Sequence, residues 1–257
     1  MTLQACAQIV ERGDPDRFAA AMAAPPAARA KLLPLYALNI EVARAPWMTK
    51  EPMVAEMRLQ WWRDAIEDAA KGRPRAHEIM APLAQVIRDA DLPPDTLDRL
   101  IDARRWDIYQ DPFADEAALD AYLADTGGGL MWLAARALGA PDSAEPVAMQ
   151  AGYAMALASF LRAVPELENR GRVPLLDGRP QGVAALANKG LAALAQARSN
   201  RNLVPAAARP AMLAAWQTKA LLTQAARTPA RVAEGTLQLS EFAKRGGLLW
   251  AGLTGRW

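Results

Sequence analysis

Alanine mixed with Leu, Arg, Glu and Gln fills most of this 257-residue chain, and strand-like alternation of Val, Ile, Thr and Tyr is nearly absent. Residues of the first kind lose little conformational freedom in a helix, whereas sheets are built from the second. The 19 Pro and many of the 16 Gly fall between apolar-periodic segments, where they act as helix breakers. Helices are expected near residues 16–23, 27–45, 51–71, 75–90, 94–110, 115–139, 143–163, 181–198, 205–227 and 229–253. Short links between that many helices describe one all-α domain over residues 1–257, with a flexible arm at 1–14 and a docking tail at 236–257. In the third segment Val54, Met57, Trp61, Ala65 and Ala69 make an apolar stripe at helical spacing, read as its buried face. Residues 169–182 form the longest irregular connection, and no repeat recurs at a fixed period.

Composition narrows the function classes. A formal net charge of +2 leaves no electrostatic footprint for nucleic acid. A single cysteine, Cys6, excludes an internal disulfide, and a single histidine, His77, excludes the His-rich zinc sites. Glu11, Arg12, Asp14, Asp16 and Arg17 interrupt the first segment, which therefore does not read as a signal peptide. No run of about 18–20 uncharged apolar residues occurs. The expected compartment is the cytoplasm, with peripheral contact at the inner face of the plasma membrane as an option. Phosphate loops, dinucleotide fingerprints, CxxC pairs and nucleophile elbows are all missing.

Two unusual segments remain, Leu35–Tyr36–Ala37–Leu38–Asn39–Ile40–Glu41–Val42–Ala43–Arg44 and the stretch from Gly152 to Glu166. The first, with Glu51–Pro52 and Arg58–Leu59–Gln60–Trp61–Trp62–Arg63 after it, resembles the squalene/phytoene synthase family. So do Asp107 before Asp111–Pro112–Phe113 and the stretch Tyr122 to Gly129. The second resembles that family's G-x-A-x-Q-L-T-N-I-L-R-D-V-x-E-D motif, trailed by Gly171–Arg172–Val173. The resemblance spans about residues 15–190, with five segments in the family's order. It implies an all-α prenyltransferase fold that joins two prenyl diphosphates head to head, with aspartates on two facing helices holding magnesium against diphosphate. Magnesium is a hard cation that takes oxygen ligands, and a diphosphate departs only when its developing charge is stabilised.

Against that pattern the aspartates are gone. Ala43, Arg44 and Trp47 stand where the first motif begins and ends; Ala156, Ser159, Ala163 and Leu167 replace the Gln, Asn and two Asp positions of the second, and Arg162 and Glu166 survive. The departures are similar to those of the family's non-catalytic branch, which serves assembly of mitochondrial respiratory complex I. The expected role is then an assembly or chaperone-like factor, with complex I subunits or other assembly factors as partners and no catalytic residue, metal ligand or cofactor assigned. A head-to-head prenyltransferase with a rearranged site, which would need magnesium, and an isoprenoid lipid carrier are the alternatives.

The pocket candidates are Asn39, Arg44, Arg58, Trp62, Gly128, Ser159, Arg162, Glu166 and Arg172. Arg44, Arg58, Arg162 and Arg172 are read first as solvated or ion-paired surface positions; convergence on an anion without metal is the sharper alternative, because guanidinium forks match phosphate geometry. Gly127, Gly128 and Gly129 each cost about 1 kcal/mol in a helix, offset either by a ligand approaching the backbone or by close helix packing. His77 reads as a surface residue at a helix start, and Trp61, Trp62, Trp106 and Trp132 as core. Cys6 sits in the arm and is not read as a reactive thiol. At the C-terminal end Leu248, Leu249, Trp250, Leu253 and Trp257 accompany Lys244, Arg245 and Arg256, a composition suited either to a final helix docked on the bundle or to a membrane surface.

Overall fold

The computed structural model describes residues 2–257, and among them there is no strand. The chain runs through α1 (Leu3–Gly13), α2 (Pro15–Ala23), α3 (Pro26–Arg44), α4 (Pro52–Ala70), α5 (Met80–Asp89), α6 (Pro94–Asp102), α7 (Glu116–Leu123) and α8 (Gly129–Ala137). It continues through α9 (Glu145–Asn169), α10 (Pro180–Ser199), α11 (Arg209–Met212), α12 (Thr218–Arg227), α13 (Ala230–Ala233) and α14 (Glu241–Thr254). The core is built on α9, whose buried residues include Val147, Ala151, Met155, Leu157, Leu161 and Val164 on several faces. A helix that is apolar around most of its circumference has to be wrapped, and α8, α10, α12 and α13 wrap this one. Its length and hydropathy would let it cross a bilayer, yet 61% of its most apolar window lies buried inside the bundle.

Residues 3–13 are not a flexible arm. Cys6, Ile9 and Val10, at i, i+3 and i+4, form an apolar strip that α1 lays against α3, while Glu11 and Arg12 stay exposed. Burial pushes the Cys6 thiol up to about 11, which keeps it protonated and unreactive at neutral pH. Asp14 closes α1 through its backbone N–H, which donates to the Val10 carbonyl, and caps α2 through Oδ1, which accepts from the Arg17 N–H at 2.9 Å.

Several expected helices are broken or shifted. The 115–139 segment divides into α7, a π-helical turn at Ala124–Gly128, and α8. The 94–110 segment tightens into a 3-10 turn at Ala103–Asp107, and 75–90 becomes helical only from Met80. The 205–227 segment is split by a 3-10 turn at Leu213–Ala215, and 229–253 is interrupted around Gly235, whose φ of +67° is left-handed. Conversely α9 runs past 163, through Pro165, to Asn169.

The buried face of α4 is also rotated from the expected stripe. Ala55, Leu59, Trp62, Ile66 and Ala69 face the core at i, i+4, i+7, i+11 and i+14, leaving Val54 and Met57 exposed. Two apolar stripes share this helix, and the one carrying Leu59, Trp62 and Ile66 buries more. Trp61 and Trp62 meet edge to face at 4.9 Å and close on His77, which is half-buried against both rings and not a free surface residue.

The π-helical turn is explained by its glycines. A Cβ on Gly127 would sit 2.7 Å from the Gly152 carbonyl oxygen, and one on Gly152 would sit 2.7 Å from the Gly128 Cα. Backbone meets backbone here, so packing offsets the cost of glycine at these positions. Gly152→Ala is expected to destabilise the protein by about 1–3 kcal/mol, since neither main chain can rotate away. Gly246→Ala on α14, where nothing lies within 4 Å, is expected to stabilise by about 0.5–1 kcal/mol. Urea midpoints of the two variants check this pair, and a neutral Gly152→Ala would show that the helices can separate freely.

Candidate functional site

A cavity of about 900 Å³ opens between α1, α3, α9 and the 3-10 turn that follows α6. Its apolar wall includes Ile9, Ile40, Leu123, Met155, Phe160 and Trp106, the last stacked on Phe113 at 4.1 Å. Along α9 the wall is made of Ala156, Ser159 and Ala163, ending in Glu166 and Arg170. These positions share one helix face, and the small side chains along it leave the cavity open.

The polar wall is arranged in arginine–carboxylate pairs. Arg17 meets Asp14 at 3.3 Å, Arg44 meets Glu41 at 3.0 Å, Arg104 meets Asp107 at 3.6 Å and Arg170 meets Glu166 at 2.7 Å. All eight line the cavity, with Arg12 and Glu78. Burial holds the Glu41 carboxyl above the usual range despite the Arg44 guanidinium, and its Oε1 is enclosed without a hydrogen-bond partner. At the back, Arg104 donates to the Tyr122 hydroxyl (2.9 Å) and to Asn39 Oδ1 (3.2 Å), and the Tyr122 hydroxyl donates to Asp107 at 3.2 Å. Burial raises the Asp107 carboxyl, and the Arg104 charge and the Tyr122 hydrogen bond offset only part of that rise. Arg172, 5% exposed, donates to the carbonyls of Trp106 and Asp107 and lies 4.0 Å from the Trp106 ring centroid. Trp47, at the end of the degenerate first motif, has become a platform over which Arg170 lies at 4.6 Å.

Of the sequence-derived candidates, Asn39, Arg44, Ser159 and Glu166 line the cavity, and Arg172 braces its wall behind Trp106. The other four lie elsewhere. Arg58 is exposed on α4, beside the Met48 sulfur at 3.7 Å, and Trp62 is buried against His77. Gly128 packs on Met149, leaving Gly127 to touch the cavity. Arg162 faces away, pairing with Asp16 at 3.0 Å in a separate small depression. There burial pushes the Asp16 carboxyl up, but hydrogen bonds from Gln217 and Arg162 bring it below its ordinary range. The four arginines therefore do not converge: Arg44 and Arg162 are ion-paired and Arg58 is exposed, as expected, while Arg172 is buried. Sequence reading missed Arg12, Arg17 and Arg104; the i, i+3 spacing of Asp14 to Arg17 and of Arg104 to Asp107 was the available signal.

Magnesium held against a diphosphate requires several carboxylates with free oxygens on facing helices. Among the described residues no group of three or more His, Cys, Asp or Glu side chains is placed to hold a metal. Glu41 and Glu166 each carry an arginine already, and Asp107 is enclosed. This side-chain set does not fit a metal-bound diphosphate.

Fold and site together define an isoprenoid-synthase-type helical bundle whose cavity is lined by arginine–carboxylate pairs. Residues 10–175 match the family model for squalene/phytoene synthase, and the chain belongs to that family. It is 25% identical over 169 residues to NADH dehydrogenase (ubiquinone) complex I, assembly factor 6, of Mus musculus, covering 65% of this chain, and 24% identical to the Homo sapiens protein. The chain spans about half the length of these curated relatives (51%). Among solved structures, a dehydrosqualene synthase in complex with ligand superposes with a TM-score of 0.82 at 16% identity, covering 98% of this chain and 95% of that one. Squalene synthase HpnC from Alicyclobacillus acidocaldarius does so with a TM-score of 0.77 at 17% identity, covering 89% and 94%. These likenesses establish the fold.

Removing one partner of a buried pair strands the other. Arg104→Leu is expected to cost about 3–5 kcal/mol by leaving Asp107 without its cation. Because the folded Asp107 carboxyl lies above its unfolded value, its contribution to stability is complete below the unfolded value and lost as pH rises through the folded one. Without Arg104 that folded value climbs further. The deficit of Arg104→Leu should therefore be largest near neutral pH and shrink on acidification, read from urea midpoints over a pH series. A deficit independent of pH would show that Asp107 is not the stranded group.

Proposed function

We propose that this chain is a catalytically silent member of its family that acts as an assembly or chaperone-like factor for respiratory complex I, in the cytoplasm beside the membrane where that complex is built. The observation that carries the reading is that four cavity carboxylates are paired with arginines and that, among the described residues, no three acidic, His or Cys side chains are placed to share the metal a prenyl transfer of this kind needs. Similarity to proteins named as complex I assembly factor 6 supports the same direction. A binding protein needs shape and surface and no metal ligands, so loss of aspartates is compatible with retention of the fold. The open cavity favours one secondary reading, a metal-free seat for an isoprenoid-type lipid against Ile40, Phe160 and Trp106.

Deleting the gene is expected to lower assembled complex I on native gels while total isoprenoid lipids in the same cells stay unchanged. Normal complex I with depleted isoprenoids would overturn the assembly reading and put a prenyltransferase first. In vitro, the purified protein with farnesyl or geranylgeranyl diphosphate and magnesium is expected to give no squalene or phytoene. Product formation that Glu166→Ala abolishes would contradict the silent site.

A further inference from the structure

The last helix has two faces of opposite character. Ala251 is buried in a small cluster with Ala20 and Leu213, Leu248 and Trp216 pack against it, and Gly247 passes over the Trp216 ring. Lys244 reaches back to Asp16 and Glu241, and Arg198 donates to the carbonyl of the buried Trp257 at 2.6 Å. The helix is thus held to the body at its start, middle and end.

The other face is apolar and uncovered. Phe242 is 90% exposed, Leu249 65%, Trp250 61% and Leu253 77%. At 3.6 residues per turn these four side chains fall within about 100° of arc. Gly246, on the same strip, has nothing within 4 Å of the position its Cβ would take. Isolated exposed apolar residues are ordinary, but four in one stripe on an anchored helix are not.

Charge decides what covers the stripe. Glu241 is the sole acidic side chain from α14 onward, and it is paired with Lys244. Arg245 and Arg256 are exposed and make no ion pair among the described residues, and Arg209 lies beside Gly255 at the far end. Apolar side chains with an interfacial Trp, bordered by unpaired cations, match a bilayer surface with anionic headgroups, which attracts each nearby cation and accepts the apolar side chains just below the headgroups. We propose that α14 is an interfacial helix that docks the protein on anionic lipid, with Phe242, Leu249, Trp250 and Leu253 inserted and Arg245 and Arg256 at the headgroups. Docking requires no partner protein, so the proposal stands independently of an assembly role.

The test is co-sedimentation of the purified full chain with vesicles of equal parts phosphatidylglycerol and phosphatidylcholine, alongside vesicles of phosphatidylcholine alone. Binding is expected to the anionic vesicles, weakening as salt is raised. Leu249→Asp with Leu253→Asp should abolish it without changing circular dichroism or Tm, because both side chains already face solvent. Arg245→Glu should lower partition at least fivefold, the factor expected for loss of one surface cation. Equal binding to both vesicle types, binding that survives the double variant, or no binding would each overturn the proposal. Absence of vesicle binding together with self-association that the double variant abolishes would assign the stripe to a second copy of the chain instead.

Discussion

Everything in this fold is arranged around the burial of α9. Its apolar residues are spread over most of its circumference, so it is stable only when surrounded, and the chain before and after it supplies the surroundings. Glycine sets how close those neighbours come: Gly127 and Gly152 let the π-helical turn touch α9 through main chain, and Gly190 of α10 fits against Leu157 and Leu222. One strip of α9 is left unwrapped. It carries Ala156, Ser159 and Ala163, and the cavity exists because those side chains are too small to fill the space before them.

The same strip shows that the bundle holds together without large side chains facing the cavity. Ala163 presents no oxygen to the cavity, and Trp47, also in its lining, packs under Arg170. Carboxylates in a partly buried cavity are stabilised by a counter-charge, and here arginine provides it. Each pair sits on one helix or turn, at i, i+3 for Arg17, Arg44 and Arg104 and at i, i+4 for Arg170. Local pairs of this kind form with little loss of chain entropy and hold no interhelical metal bridge open. Such a wall has four of its charges neutralised locally, while Arg12 and Glu78 line it without an ion pair among the described residues.

The architecture was legible in the sequence because alanine-rich periodicity and proline placement act locally. The cavity was half legible. Asn39, Ser159 and Glu166 lie within the two unusual segments and do face it, but Trp62 and Arg58 lie on a helix with two apolar stripes, and which one buries is decided by tertiary packing. Residues 3–13 were misread because charge near Arg12 to Arg17 obscured the short strip of Cys6, Ile9 and Val10, although Arg12 and Arg17 then become part of the cavity wall. The division of residues 115–139 was hidden for a related reason: glycines in a helix announce close approach without naming what approaches, and Gly152 lies outside that segment.

The segment that matches the family ends at residue 175, and what lies beyond it is not uniform. Helices α10 and α12 complete the main core, with Val183, Ala187, Leu194, Leu222 and Ala225 all buried in it. Helix α14 contributes Ala251 to a satellite cluster and little else. A helix that adds so little to the core is weakly constrained by folding, so its sequence is free to be shaped by what it touches outside the bundle. Stability alone would favour polar residues at positions 242, 249, 250 and 253, since an exposed apolar stripe gains nothing in water and promotes association. That these positions are Phe, Leu, Trp and Leu, beside arginines left without acids, is therefore the part of this chain least explained by its fold and most readily explained by contact with a surface.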